Sequence, residues 1–472
     1  MADSPAAEAN TPFAIRSTAS FRDPSGFVYS RGGVIYRQVH RCYRPDFERL
    51  IESGLYAELT QRRLLIPHEN VDHSLAFDTA AERVLRPEHI PFISYPYEWC
   101  FSQLQDAALL TLDVHKAAFE RGMTLKDASA FNVTVHRGRP IFLDTLSFEQ
   151  RREGEPWQAY RQYCEHFLAP LALMAKRDLR LGRLLRVHLG GIPLDLAARM
   201  LPLSSWLRPS LLLHIRLHAA TQRRYAGKPL ERNHRAVTRR AMLGLIDSLR
   251  TATASLRPAS GGEGWAAYYD DTNYSIGSFE RKASLVRAYL QELRPQTVWD
   301  LGANTGVFSR IAAETASLVV SLDFDQQAVE ANYRRLREEG RENICPLWLD
   351  LANPSEGLGW AGAERASLAE RGPADTVLSL ALVHHLAIGN NTPLDAIAAF
   401  LARLGRSLII EFVPKSDSQV QRLLASRQDI FGDYRKDAFE AAFRRHFEIR
   451  RSEIVAGSER TLYMMSRRQE AR

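Results

Sequence analysis

A chain of 472 residues is longer than one ordinary core, and at roughly 150 residues per domain two or three domains are expected. Hydrophobic residues at 45% and charged residues at 25% are ordinary for a soluble globular protein, and the net charge of +7 is unevenly spread. The four cysteines, Cys42, Cys100, Cys164 and Cys345, stand far apart without CxxC or Cys/His spacing, which argues against zinc or a disulfide framework and for reduced, cytoplasmic thiols.

The opening MADSPAAEANTPFAIRSTAS lacks a basic start followed by an apolar core, and no run approaches about 18 apolar residues, so neither a secretory signal nor a membrane span is expected. Residues 1–20 read as a disordered N-terminus, and residues 21–250 as an α+β domain. Within it, YEWCFSQLQDAALLTLDVHKAAFERG predicts a helix. Ser102 and Gln105 form a capping box, Leu104, Ala108, Leu112 and His115 run down one face, and Gly122 ends it. Asp127 and Asn132 follow as a D-x-x-x-x-N pair, and NVTVHR and PIFLD predict a hairpin joined at Gly138 and ending at Asp144. This order resembles the catalytic and metal-binding loops of the kinase-like phosphotransferases. The resemblance implies that Asp127 orients an acceptor hydroxyl and that Asn132 and Asp144 bind magnesium. Three departures accompany it: Lys126 precedes Asp127 where Arg or Gly is usual, DTL replaces DFG, and GFVYSRGGVIYRQV holds neither GxGxxG nor a VAIK-type lysine. A degenerate kinase-like domain, an unrelated α+β domain and an active kinase all stay open, and a metal is expected only in the last case.

Residues 176–240 hold 15 Lys or Arg against three acids, Asp178, Asp195 and Glu231, so the rest of the chain is net acidic. Such a block can meet nucleic acid, an anionic membrane surface or an acidic partner. Its arginines are interleaved with leucines at helical spacing and not with exposed aromatics, which favours a solvated helical face and disfavours nucleic acid without excluding it. TATASLRPASGGEG, residues 251–264, replaces the helical pattern with small residues, Pro and Gly and reads as a linker to a domain over 265–472.

In that domain DDTNYS, residues 270–275, together with Tyr268, Tyr269 and Tyr274, offers a segment able to close over a ligand or to pack in the core. SFERKASLVRAYLQEL predicts a helix with Ser278 at its start and Leu285, Ala288, Tyr289 and Leu293 on one face. Strands and helices then alternate. TVWDL precedes a helix from about Gly306, LVVSLD a helix over Gln326 to Glu339, ICPLWLD a loop, DTVLSLAL a helix near Pro393 to Leu404, and SLIIEFV a further helix. Short apolar strands separated by helices predict an α/β fold with a doubly wound, mostly parallel sheet covered on both faces.

Ligands of such sheets bind beyond the carboxyl ends of the strands, where the first turn reads Asp300, Leu301, Gly302, Ala303, Asn304, Thr305, Gly306. Its GxxxG spacing is neither GxGxxG nor GxxxxGK[ST], so a nucleoside-type ligand without phosphates is the better match. Asp323 closes the second strand, where a carboxylate can accept from ribose hydroxyls, and Asp350 closes the third, where it can accept from an exocyclic amine. Asp300 can hold a cationic amino group or orient the turn. Three carboxylates around one crevice favour a positively charged ligand. VWDLGANTG, VVSLDFD, LWLD and ADTVLSLALVHHL, in this order and spacing, are similar to the motifs of the class I S-adenosylmethionine-dependent methyltransferases, over roughly residues 275–465. The resemblance implies a Rossmann-like fold, S-adenosylmethionine as cofactor, and a cofactor site built from Asp300, Gly302, Ala303, Asn304, Gly306, Asp323, Phe324, Asp350, Leu351 and Leu380.

Methyl transfer from a sulfonium needs in-line positioning, and a base only where the nucleophile must lose a proton. His384 and His385, in LVHHLAIGNN beyond the fourth strand, are the candidate base, with a lid or a hydrogen-bonded pair as the structural alternative. Glu411 is a further acceptor-site candidate or a strand-end surface acid. No [ND]PP[YF] follows the fourth strand, which weakens an amino-group acceptor on adenine, cytosine or glutamine. The function expected is a cytoplasmic methyltransferase acting on an unidentified acceptor, with an N-terminal domain for acceptor recognition or regulation. The competing reading is a nucleotide-binding or phosphotransferase domain fused to a cofactor-sensing, methyltransferase-like fold. The sequence specifies neither the acceptor nor the oligomeric state.

Overall fold

The computed structural model describes residues 14–207, 211–217, 236–259, 276–425 and 427–468. The chain opens with five antiparallel strands, β1 (Ala14–Arg16), β2 (Gly26–Arg31), β3 (Val34–His40), β4 (His68–Val71) and β5 (Ala81–Pro87), in the order β1-β2-β3-β5-β4. Arg31 pairs with Val34, so Gly32 and Gly33 alone make the β2–β3 turn. Both have positive φ, 58° and 78°, as a two-residue hairpin that keeps the strand twist requires. Because β1 pairs with β2, ordered structure starts inside the stretch expected to be disordered; residues 1–13 lie outside the described ones.

The long helix Phe101–Glu120 starts against the second half of the chain, where Ser102 and Gln103 meet Glu330 and Pro346, and ends beside the first-half helices, where Arg121 meets Ser53 and Glu58. Its buried face carries Leu104, Ala108, Leu112 and His115, as the spacing predicts, and Gly122 follows it at φ 78°. The cap is a correction: the Oε1 of Gln103, not Gln105, accepts the first backbone N–H, that of Cys100 at 2.9 Å. Ser102 instead donates its hydroxyl to Glu330, and Gln105 donates to the carbonyls of Thr253 and Leu256. Four short strands follow, β6 (Met123–Leu125), β7 (Val133–His136), β8 (Arg139–Phe142) and β9 (Phe148–Gln150). β7 and β8 form the expected hairpin, turned by Arg137 and Gly138, both at positive φ. A helical layer ends with Arg239–Ala254, so helix continues into the expected linker. The stretch 270–275 and Tyr268, Tyr269 and Tyr274 fall outside the described residues.

The second half is a mixed α/β layer built on seven strands, β10 (Thr297–Leu301), β11 (Leu318–Asp323), β12 (Ile344–Trp348), β13 (Ala374–Ser379), β14 (Gly405–Phe412), β15 (Phe447–Ile454) and β16 (Thr461–Arg467). Their order is β12-β11-β10-β13-β14-β16-β15; the first five are parallel, while β16 runs antiparallel to β14 and β15 to β16. The parallel strands are buried on both faces, with Val298, Trp299, Leu301, Val319, Val320, Leu322, Ile344 and Leu347 all in the core, which explains their near-continuous apolar sequence. The helices Gln326–Glu339 and Leu394–Leu404 match the expected spans, whereas the closing β15–β16 hairpin has no counterpart in the sequence reading. Strand order reverses between β10 and β13, which opens a crevice at their carboxyl ends.

One apolar core runs through both halves, from Leu104 and Phe92 to Trp299 and Leu347. Phe92 meets Trp299 edge-on at 5.5 Å, and Gln103 donates to the Pro346 carbonyl at 2.8 Å. The ion pair between Glu98 and Arg371 is buried at this seam, with Arg371 lying over the rings of Phe92 and Tyr95.

Candidate active site

The turn after β10 lies at the crevice. Gly302, Asn304 and Gly306 all have positive φ, 74°, 51° and 80°. The N–H groups of Gly302 and Ala303 donate to the Leu322 carbonyl, and that of Gly306 to the Ala303 carbonyl, which folds the turn back on the sheet. A Cβ on Gly306 would stand 2.5 Å from the Asn332 amide, so close packing of the turn against the helix Gln326–Glu339, as well as the left-handed φ, favours glycine there. Across the crevice Ala381, just past β13, also has positive φ, and His385–Gly389 forms a π turn. Strained backbone on both lips of one crevice is a mark of a functional site.

A cavity of about 320 Å³ opens between these lips. Its walls carry Asp300, Gly302, Ala303, Asn304, Asp323, Phe324, Asp350, Leu351, Leu380 and His385. Gly306 acts one step away, shaping the turn. Asp323 accepts from the N–H of Asn304 at 2.7 Å through one oxygen and from that of Asp325 at 2.8 Å through the other. Asp300 accepts from the Ser309 hydroxyl at 2.6 Å, tying the strand end to the following helix. Burial raises both carboxyls to about 6: for Asp300 against the Ser309 hydrogen bond, and for Asp323 against its backbone donors. Asp350 is less enclosed and accepts from the Ala352 N–H at 2.9 Å. The Phe324 ring is 55% exposed, a flat apolar surface at the cavity mouth.

The two histidines divide. His385 stands on the cavity wall, while His384 is 1% exposed, its two ring nitrogens have no hydrogen-bond partner among the described residues, and it packs behind His385 at 4.2 Å between rings. The placement of His384 is a correction, because its imidazole does not reach the crevice. Burial, then the charges of His385, Arg460 and Lys282, lower His384 far below its ordinary value; burial and Arg460 lower His385. Glu411 is neither a surface acid nor an acceptor-side group: it is 0% exposed and accepts from Lys282 at 2.6 Å.

In the first half, Asn132 and Asp144 line a second cavity of about 590 Å³, with Asp127 beside them. The Arg37 guanidinium, on β3, is ion-paired with Asp144. Asp144 also accepts from the Ser147 hydroxyl and the Leu146 N–H, while Asn132 turns its amide to Ser147. The carboxylate is thus occupied by protein donors, and among the described residues no group of three His, Cys, Asp or Glu is placed to hold a metal. These residues do not fit magnesium. Lys126 donates to Ser25 at 3.0 Å and lies 3.5 Å from Asp23.

Compared over its length, the chain is 34% identical to the nodulation protein NoeA of Rhizobium meliloti (strain 1021), over 460 residues that make up 96% of each chain. The chain belongs to the NoeA family. That name states a process and no reaction, and no family model matches the chain. Among solved structures, the chain is similar to magnesium protoporphyrin IX methyltransferase (ChlM) from Synechocystis PCC 6803, at 19% identity over 43% of this chain and 92% of that one, TM-score 0.33. It is also similar to the N-methyltransferase NodS from Bradyrhizobium japonicum WM9, at 10% identity over 44% and 94%, TM-score 0.32.

In this NoeA-family chain the basic block is largely engaged within the molecule where it is described. Arg177 donates to the Met200 carbonyl, Arg180 pairs with Asp178 and Arg199 with Asp195, Arg183 lies 4.1 Å over the Trp348 ring, and Arg186 donates to the carbonyls of Asn353 and Pro354. Arg183 and Arg186 therefore hold the loop that carries Asp350. The sequence reading missed them, and it missed Lys282 on the cavity wall. The signal for Lys282 was available: it shares a helix face with Phe279, Val286 and Tyr289 at spacings of three and four, where a lysine on an apolar stripe is out of place.

Proposed function

We propose that the protein is an S-adenosylmethionine-dependent methyltransferase whose first half recognises the acceptor or regulates the reaction. The observation that carries this reading is the trio Asp300, Asp323 and Asp350 around a positive-φ, phosphate-incompatible turn at the point where the sheet reverses. Acidic walls suit a sulfonium and an ammonium and oppose a dinucleotide. When bound, S-adenosylmethionine supplies an electrophilic methyl group.

The chain's own residues then have separable tasks. Asp323, on the cavity wall at the end of β11, accepts from ribose hydroxyls, and Asp350 with Leu351 borders the base. Phe324 offers a stacking face, and Leu380 closes the floor beneath the turn. His385 is held neutral by burial and by Arg460, so near neutral pH it can accept a proton from an acceptor hydroxyl. His384, shut behind it, fixes the position of His385 by packing.

The test is titration of the full-length protein with S-adenosylhomocysteine. Asp323→Ala should weaken binding by at least roughly 10- to 100-fold, the worth of a single hydrogen bond to a charged group. Undiminished binding in that variant, with the fold intact by circular dichroism, would overturn the reading. Labelled methyl donor incubated with enzyme and cell extract, followed by fractionation, would then identify the acceptor.

A further inference from the structure

The cavity wall poses a charge problem. The amino-acid end of S-adenosylmethionine is a zwitterion, and three carboxylates satisfy its ammonium while repelling its carboxylate. Among the described residues, Lys282 is the wall's one lysine or arginine. It is 3% exposed and comes from the helix Ile276–Leu293, whose inward face is otherwise lined by Leu285, Val286, Tyr289 and Leu290, with Ser278 at its start. Burying an ammonium there is expensive unless it is paired, and Glu411 provides the pairing at 2.6 Å. Arg460 stands 3.9 Å from the same carboxylate and binds Asp417 at 2.7 Å, so Glu411 is shared between two cations. The Lys282 ammonium also lies 4.8 Å over the ring of Phe308, which lines the same cavity. An ammonium carries three donors, so pairing with Glu411 and facing a ligand are compatible.

Resting on the methyltransferase reading, we propose that Lys282 seats the α-carboxylate of the cofactor's methionine end. The pocket thereby selects a sulfonium nucleoside with an intact amino-acid end over one that lacks the carboxylate. The charge arithmetic is local: Asp300 faces the ammonium side of the zwitterion, and Lys282 the carboxylate side.

The experiment compares three probes by isothermal titration on the full-length protein: S-adenosylhomocysteine, decarboxylated S-adenosylmethionine and 5′-methylthioadenosine. Lys282→Met alone strands Glu411 and can fail to fold, so the variant used is the double Lys282→Met/Glu411→Gln, with Lys282→Arg as the charge-conserving control. The double variant should lose roughly 10- to 100-fold in affinity for S-adenosylhomocysteine, the range for a hydrogen bond to a charged group, and bind methylthioadenosine within about twofold of wild type. Lys282→Arg should keep the wild-type preference for S-adenosylhomocysteine over the decarboxylated probe. Equal losses for all three probes, or no loss for S-adenosylhomocysteine, would overturn the assignment while leaving the pocket's identity standing. A wild-type protein that binds none of the probes would overturn the methyltransferase reading itself, and this assignment with it.

Discussion

Asp300 and Asp323 are held where burial opposes their charge, and this has opposite consequences with and without a ligand. Their carboxyls are raised from 3.8 to about 6, so the fold prefers them protonated. The stability they contribute is full below about pH 4 and is lost as pH rises through 6, about 3 kcal/mol for each. Asp300→Asn still accepts the Ser309 hydroxyl and removes this charge. It should therefore raise the melting temperature of the ligand-free protein at pH 7.5 and flatten its dependence between pH 4 and 6, a change read by scanning calorimetry across that window. A cationic ligand reverses the sign. Affinity for S-adenosylmethionine should drop roughly tenfold between pH 7.5 and 5 as the carboxylates protonate, and an unchanged affinity would remove them from the binding argument.

At the scale of elements, the seam between Tyr95–Glu98 and the segment before β13 concentrates polar burial. Glu98 binds Arg371 at 2.5 Å and accepts from Ser355 at 3.2 Å, all three nearly enclosed. Removing one partner of such a pair strands the other, so Glu98→Ala should destabilise the protein by about 3–5 kcal/mol in urea unfolding. Replacing both by apolar residues should cost much less. The sequence announced what depends on local rules: the alternation of β10 to β14, the helix Gln326–Glu339 and the Arg137–Gly138 hairpin follow from period, caps and turn residues. It also brought Asp300, Asp323, Asp350 and His385 to one crevice, because strand ends in a doubly wound sheet are adjacent by topology. It did not announce Glu98–Arg371, Arg37–Asp144 or Lys282–Glu411, pairs formed across 273, 107 and 129 residues. No periodicity encodes which distant charge will neutralise a buried one. The same blindness misplaced His384 and Glu411, whose neighbours in sequence say nothing of the cations packed behind them.

For the whole molecule, the continuous core from Leu104 to Leu347 predicts that the halves melt together. Calorimetry should show one transition that S-adenosylhomocysteine shifts as a unit; two separate transitions, with only one shifted, would contradict the shared core. A fragment lacking residues before 276 would bare Trp299 and leave Arg371 without its acid, and should bind a hydrophobic dye such as ANS that the full chain does not. The contact of Ser355 with Glu98, and of Glu98 with Arg371, has a further consequence. Ser355 follows the loop carrying Asp350, while Arg371 borders the cavity of the first half. Two hydrogen-bonded steps thus link the chain just beyond the Asp350 loop to the wall of the second hollow. Linkage makes such a bridge reciprocal: any occupant of one hollow that resets it changes affinity in the other by the same factor, in whichever order the two arrive.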